Sequence, residues 1–199
     1  MRSSSRPIPS VDRLDDAEIA ARDAAWLAKM REGDRKAFEA LFRCYSDPLC
    51  GFVFGYTRSI DEAQEIVQDL FCWLWEHRAE WNVTRSVRTY LFQAAHNRAL
   101  NRLKRRRMIE RYQERAAREV PEHATDDAAD ATAARELADA LGRAVAELPD
   151  RCREVFTLNR WHNMSYAQIA AALGISAKTV ENHMGRALTI LRKRLADWR

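Results

Sequence analysis

Ser165–Leu188, SYAQIAAALGISAKTVENHMGRAL, is the stretch that decides how this chain folds. It reads as two short helices joined by a tight turn. Ser165 followed by Gln168 makes a capping-box start, each side chain satisfying an orphan backbone N–H at the head of the helix. Ile169, Ala170 and Leu173 fall on one face at helical spacing, and Gly174 stands where a helix ends and a left-handed backbone is tolerated. Ser176 offers a second N-cap, and Val180, Met184, Ala187, Leu188 and Leu191 form the inward stripe of the next helix. Lys178, Thr179, Glu181, Asn182 and Arg186 are left outward, a polar set able to hydrogen-bond. A helix with such an outer face, braced by a small-residue helix and a glycine turn, fits a DNA major groove. Helix–turn–helix pairs also occur in all-helical proteins that never touch DNA, so the rest of the chain has to weigh in.

The 199 residues have room for one or two small domains, each with its own core. Only 6 Gly and 5 Pro stand against abundant Ala, Leu, Arg and Glu, and alternating β-branched runs are missing. The expected fold is all-α: two helical domains joined by a flexible acidic linker, the C-terminal one a helix–turn–helix. The net charge of +4 says less than its distribution. Residues 98–115 carry Arg98, Arg102, Lys104, Arg105, Arg106, Arg107, Arg111 and Arg115 against Glu110 and Glu114, whereas 119–139 are acidic and the C-terminal stretch is basic again. Two cationic surfaces separated by an acidic connector follow from that pattern. Cys44, Cys50, Cys72 and Cys152 show no CxxC pair and no matched histidine, so no metal site is expected; Cys44 and Cys72 read as buried free thiols of a reduced, cytoplasmic protein. The N-terminus lacks an apolar signal core, and no apolar run approaches membrane-spanning length.

Taken in order, residues 1–20 read as a disordered tail, and a short helix around Ala24–Arg31 ends at Gly33. Asp34 caps a helix in which Phe38, Leu41, Phe42, Tyr45 and Leu49 recur, with Pro48 placed to kink or end it. Ser59 and Glu62 make another capping box before the stripe Ala63, Ile66, Val67, Leu70, Phe71, Leu74 and Trp75. The opposite face holds Glu62, Glu65, Asp69 and Glu76, either a solvated acidic face or a docking surface; periodicity favours solvation. EWNVTR, 80–85, is an exposed loop, and the next helix, Val87–Arg107, interleaves arginine, asparagine and aromatic residues that can pair with phosphates and stack on unpaired bases. A linker spans 113–133, acidic and Ala-rich from 118 on; helices follow from Ala134 to Leu148 and from Asp150 to Trp161, with His162 assigned to a loop or surface role.

Four stretches in this order resemble a bacterial sigma factor of the extracytoplasmic-function (ECF) group. GDRKAFEALFRCY is similar to the opening helix of the family's second conserved region, and DEAQEIVQDLFCWLWEHR to its polymerase-binding helix. RTYLFQAAHNRALNRLKRRR resembles the promoter-melting helix, and the segment from LPDRCREVF to LRKRL resembles the fourth region. Gln64 departs from the usual acidic residue, and Asn101 from the usual Asp.

The resemblance implies region 2 over 21–112 and region 4 over 134–199, with core RNA polymerase, promoter DNA and an anti-sigma factor as partners. It implies no cofactor, no small-molecule substrate, no membrane insertion and no bond-making chemistry of the chain's own. Glu62, Glu65, Gln68, Asp69, Phe71 and Trp75 are then the polymerase-docking residues. Trp81, Asn82 and Arg85, with Arg88, Tyr90, Asn97, Arg98, Asn101, Arg102, Arg105 and Arg106, meet and melt the minus-ten element. Ser176, Lys178, Thr179, Glu181, Asn182 and Arg186 read the minus-thirty-five duplex, with Arg192 and Lys193 on phosphates. The main alternative is a helix–turn–helix regulator that is not a polymerase subunit; it would need an upstream α/β receiver or ligand domain, and this N-terminal half is helical. An enzyme would need a nucleophile–base pair, a phosphate loop or a metal-spaced cluster, and an anti-sigma or adaptor protein would lack the arginine-dense helix.

Overall fold

A computed structural model describes residues 15–81, 86–114 and 133–196, and among these residues every regular element is an α-helix. The N-terminal half holds α1 (Asp16–Arg31), α2 (Arg35–Thr57), α3 (Ile60–Glu76) and α4 (Val87–Glu114). The C-terminal half holds α5 (Ala133–Ala146), α6 (Asp150–Arg160), α7 (Tyr166–Leu173) and α8 (Ala177–Arg194). No helix among the described residues is long and apolar enough to cross a membrane.

The helix starts follow local chemistry. Asp15 accepts from the Glu18 N–H at 2.7 Å while Glu18 accepts from the Asp15 N–H at 2.8 Å, so α1 begins at Asp16, inside the stretch expected to be tail. That reciprocal cap is an Asp/Glu version of the Ser/Glu box and was legible at the same spacing. Pro48 lies within α2 without ending it. Tyr45, Leu49, Phe52 and Val53 are buried on both sides of it, and burial of about 1.5–3 kcal/mol per large apolar side chain outweighs one lost backbone bond. At α3 the box is half made: Ser59 caps the Glu62 N–H at 3.3 Å, but Glu62 Oε2 is buried without a hydrogen-bond partner.

The N-terminal core is built by Leu41, Leu49 and Phe52 of α2, Val67, Leu70, Phe71 and Leu74 of α3, and Leu91, Phe92, Ala95 and Ala99 of α4. Rings pack edge to face within it, Phe42 on Phe71 at 4.9 Å and Phe52 on Phe92 at 5.3 Å. Asp23, fully buried, ties α1 to α2: Arg22 Nη2 donates to it at 2.7 Å, and the Tyr45 hydroxyl donates to its other oxygen. The C-terminal half packs α6 and α7 on α8, with Ser165 and Gln168 capping reciprocally, Gly174 left-handed at φ 66°, and Ser176 accepting from the Thr179 N–H at 3.0 Å. The thiols depart from expectation: Cys152 is buried, Cys44 is half-buried and Cys72 is exposed, because Cys72 falls on the outer face of α3 beside Asp69 rather than in the Phe71–Leu74 stripe.

The two halves touch. Helix α7 lies on α4 and α6 meets α2, so one continuous buried cluster crosses from one half to the other.

Candidate nucleic-acid interface

Lys178, Glu181, Asn182 and Arg186 stand exposed on α8, with 178, 182 and 186 one turn apart on a shared face. Val180, Met184, Ala187 and Leu191 hold the opposite face against α6 and α7, which fixes the outward direction of the polar set. Ser176 and Thr179 are engaged in capping, their hydroxyl oxygens 2.8 Å apart, and Thr179 is half-buried. Lys178 Nζ pairs with Glu181 Oε2 at 2.8 Å, a solvent-exposed pair that strongly hydrated or charged ligands can separate at little cost. Asn182 and Arg186 thus present an amide and a guanidinium to solvent, residue types able to bond adenine and guanine edges bidentately. Arg192 and Lys193 are exposed in the last turn.

Helix α4 divides along its length. Asn97, Asn101, Arg105 and Arg106 are exposed. Arg98 is half-buried over the Trp73 ring at 5.7 Å, and that burial pulls its guanidinium below the usual arginine range. Arg102 is paired with Glu65 at 2.9 Å, so the basic face of α4 and the acidic face of α3 meet edge to edge. Arg88 is turned inward. Its Nη2 donates to Asp16 Oδ1 at 2.7 Å and to Gln168 Oε1 at 3.3 Å, and its Nη1 to the His162 carbonyl at 3.4 Å. It therefore clasps α1, α4 and the head of α7, with Nε left buried and unpartnered. Trp81 is also inside: its carbonyl accepts from Arg31 at 2.7 Å, and its ring lies 5.3 Å from half-buried Tyr90. Asn82 and Arg85 lie outside the described residues.

On α3, Glu65, Gln68 and Asp69 form an exposed polar row. Phe71 is 2% exposed and belongs to the core, and Trp75 is half-buried between Phe38 at 5.1 Å and the Arg78 guanidinium at 4.4 Å. The apolar group presented on this face is Trp73, 36% exposed and stacked on His77 at 4.5 Å. Sequence reasoning passed over it, although it stands one turn beyond Asp69, in register with the acidic row.

The halves are joined by a second cluster. Tyr56 Oη lies 2.9 Å from His96 Nδ1 and faces the buried Glu154 carboxyl of α6; burial first, and that carboxylate's charge second, push its phenol up. Burial raises the Glu154 carboxyl above its ordinary value, with Arg151 opposing at 2.9 Å. His162, expected at the surface, packs on Phe92 at 4.8 Å. Burial first, and a nearby arginine second, lower His96 and His162 each to about 4.

Two family models match this chain in the order of its halves: Sigma-70 region 2 over residues 41–109 and Sigma-70 region 4 over residues 138–191. The chain is 24% identical to the ECF RNA polymerase sigma factor SigW of Bacillus subtilis, over 86% of this chain and 95% of that protein. It is 29% identical to the ECF RNA polymerase sigma factor SigM of Mycobacterium tuberculosis, over 83% and 80%. In fold it is similar to CnrH, solved with the cytosolic domain of CnrY (TM-score 0.61, 24% identity, 88% of this chain and 98% of that one). It is likewise similar to RpoE of Bartonella quintana, solved with the anti-sigma factor NepR (TM-score 0.64, 20% identity, 82% and 99%).

Proposed function

The chain belongs to the sigma-70 family as an ECF-type RNA polymerase sigma factor, and from that premise we propose how its own residues direct promoter-specific initiation. The observation that carries the reading is the pairing of the two matched regions with two differently built polar surfaces: an acidic α3 row with Trp73, and an exposed Asn182–Arg186 face on α8. Region 2 spans 21–112 and region 4 spans 134–199, with a linker between and a tail of 1–20, whose end the start of α1 at Asp16 shortens. Core RNA polymerase docks on Glu65, Gln68 and Asp69, with Trp73 as the apolar contact; Phe71 supports that surface from beneath, and Glu62 and Trp75 border it.

Asn97, Asn101, Arg105 and Arg106 of α4, with Arg98 and Arg102, meet the minus-ten element. A base extruded there is captured beside Trp81, Asn82, Arg85 and Tyr90, and unstacking costs a few kcal/mol that stacking at about 1–3 kcal/mol per base offsets. Asn182 and Arg186, with Lys178 and Glu181, read the minus-thirty-five duplex, each good contact discriminating by about 1–3 kcal/mol. Ser176 and Thr179 shape the head of that helix, while Arg192 and Lys193 hold phosphates. The chain supplies binding energy and polymerase supplies the bond chemistry, in the cytoplasm where both meet.

The two promoter elements lie roughly 25 base pairs apart, about 85 Å at about 3.4 Å per pair. Halves held together by Arg88, Tyr56 and His162 cannot reach both, so docking on polymerase separates them and frees Arg88 for the DNA. An anti-sigma factor that favours the joined arrangement opposes initiation.

Run-off transcription with core polymerase on DNA upstream of the chain's own gene tests the assignment. New starts that disappear with Lys178→Ala, Asn182→Ala and Arg186→Ala are expected. Specific duplex binding by the protein alone, with no new starts from polymerase, would overturn it in favour of an ordinary regulator.

A further inference from the structure

A cavity of about 490 Å³ lies between the two halves, within the size range of small-molecule sites. Its walls come from α2 and α4 on one side and α5 and α6 on the other. Phe54, Leu100, Leu103, Val145 and Trp161 give it an apolar and partly aromatic lining, and Phe54 and Trp161 remain 39% and 55% exposed. Its charges are unequally satisfied. Arg151 is paired with Glu154 at 2.9 Å and Arg153 with Asp150, whereas Arg58, Lys104 and Arg107 also line the cavity and form no ion pair among the described residues. Arg58 is held there by the left-handed end of α2, at φ 55°. Gly55 of α2 and Gly142 of α5 line the space as well, and a Cβ added at either meets no heavy atom within 4 Å. Alanine would suit both helical positions better than glycine, so these glycines add room to the cavity rather than relieving a clash.

We propose that this cavity binds a small aromatic anion, a flat ring system with one negatively charged head group, and that the bound anion holds the two halves together. The ring stacks against Trp161 and Phe54, and the head group takes the three unpaired cations, all from the N-terminal half. A ligand seated there contacts α5 and α6 at the same time, so it binds the joined arrangement and has no complete site once the halves part. It shifts the population towards the joined form by its differential affinity. The ligand site itself stands on the cavity alone; only its effect on initiation rests on the sigma-factor reading.

The probe is 8-anilinonaphthalene-1-sulfonate, titrated into the full chain and followed by fluorescence. Saturable binding to one site is expected. Gly142→Leu, and independently Gly55→Leu from the other wall, should weaken it at least tenfold while the melting temperature holds or rises. Arg58→Gln combined with Lys104→Gln should weaken the sulfonate about tenfold yet leave the neutral N-phenyl-1-naphthylamine unchanged. Naphthoate and naphthyl phosphate, as competitors, separate a carboxylate from a phosphate source, and displacement by either supports the site. The proposal is overturned by dye uptake that does not saturate, by dye binding indifferent to both leucine variants, or by failure of both competitors. It is also overturned if dye binding tightens sharply when Asp126, Asp127 and Asp130 are changed to Asn, because the occupant is then the chain's own acidic stretch. In run-off transcription the dye should inhibit the wild type and spare Gly142→Leu. Absence of any transcription, with dye binding intact, would count against the sigma-factor reading and not against the site.

Discussion

Tyr56→Phe isolates one polar contact between the halves. The hydroxyl faces the Glu154 carboxylate of α6 and stands 2.9 Å from His96 Nδ1. The His96 contact lies within the N-terminal half and survives separation; only the Glu154 contact is exchanged for water. A hydrogen bond to a charged group contributes about 1.5–3 kcal/mol; the lower end is the ceiling for this hydroxyl–carboxylate contact, because Arg151 still pairs with Glu154 in the variant. About 1.4 kcal/mol is a factor of ten in the balance between joined and separated halves. If polymerase engages the separated form, its apparent affinity for the variant rises by up to about tenfold, since the fraction competent to bind has grown. Fluorescence anisotropy of labelled protein titrated with core polymerase measures that change, and thermal unfolding measures the cost to the free chain. Glu154→Gln should act similarly, and the double variant should show less than the summed effect. A lowered melting temperature with unchanged polymerase affinity and an additive double variant would refute the reasoning, because the interface would then stabilise the fold without competing with polymerase.

Acidification should loosen the same interface. A histidine whose folded value is lowered from 6.5 to about 4 contributes stability that is intact above pH 6.5 and is lost progressively as pH falls towards 4. At pH 5 that is about 2 kcal/mol for a fully shifted imidazole. His162 packs across the interface on Phe92, so an energy-transfer pair spanning the halves should separate between pH 7 and 5, and His162→Gln should flatten the response. Glu154, with its carboxyl raised by burial, acts in the opposite direction, and Glu154→Gln should steepen it. On α3, Phe71→Ala should cost about 3–5 kcal/mol in denaturant unfolding as a core truncation, while Trp73→Ala should change stability by under about 1 kcal/mol and weaken polymerase docking; the reverse pattern would contradict the placement. In gel-shift titrations on a duplex minus-thirty-five site, Asn182→Ala should relax base preference at one position, while Lys193→Ala should weaken all sequences alike and reduce the salt slope by about one.

The serine caps, the glycine at the turn and the spacing of apolar residues determined the helices from Ser165 onward, because each is a contact made within a few residues of itself. The same locality made the all-α class and the exposed face of α8 readable from the sequence alone. It also made α1 readable in principle, through Asp15 and Glu18. What the sequence could not display is which side of a long polar helix finds a partner. Arg88 looked like its neighbours Arg98 and Arg102, yet Asp16 and Gln168, brought from opposite ends of the chain, turn it inward. Phe71 stands in the apolar stripe that periodicity marks, yet the resemblance made it a docking residue; Phe38 and Phe42 of α2, packed on its ring, keep it in the core and leave Trp73 as the exposed aromatic. Tyr56 and Glu154, or Phe92 and His162, carry no shared spacing that a linear reading could detect. Capping and periodicity act within one helical turn; burial, pairing and the cavity between the halves are set by contacts across the chain, and those exist only once the helices have packed.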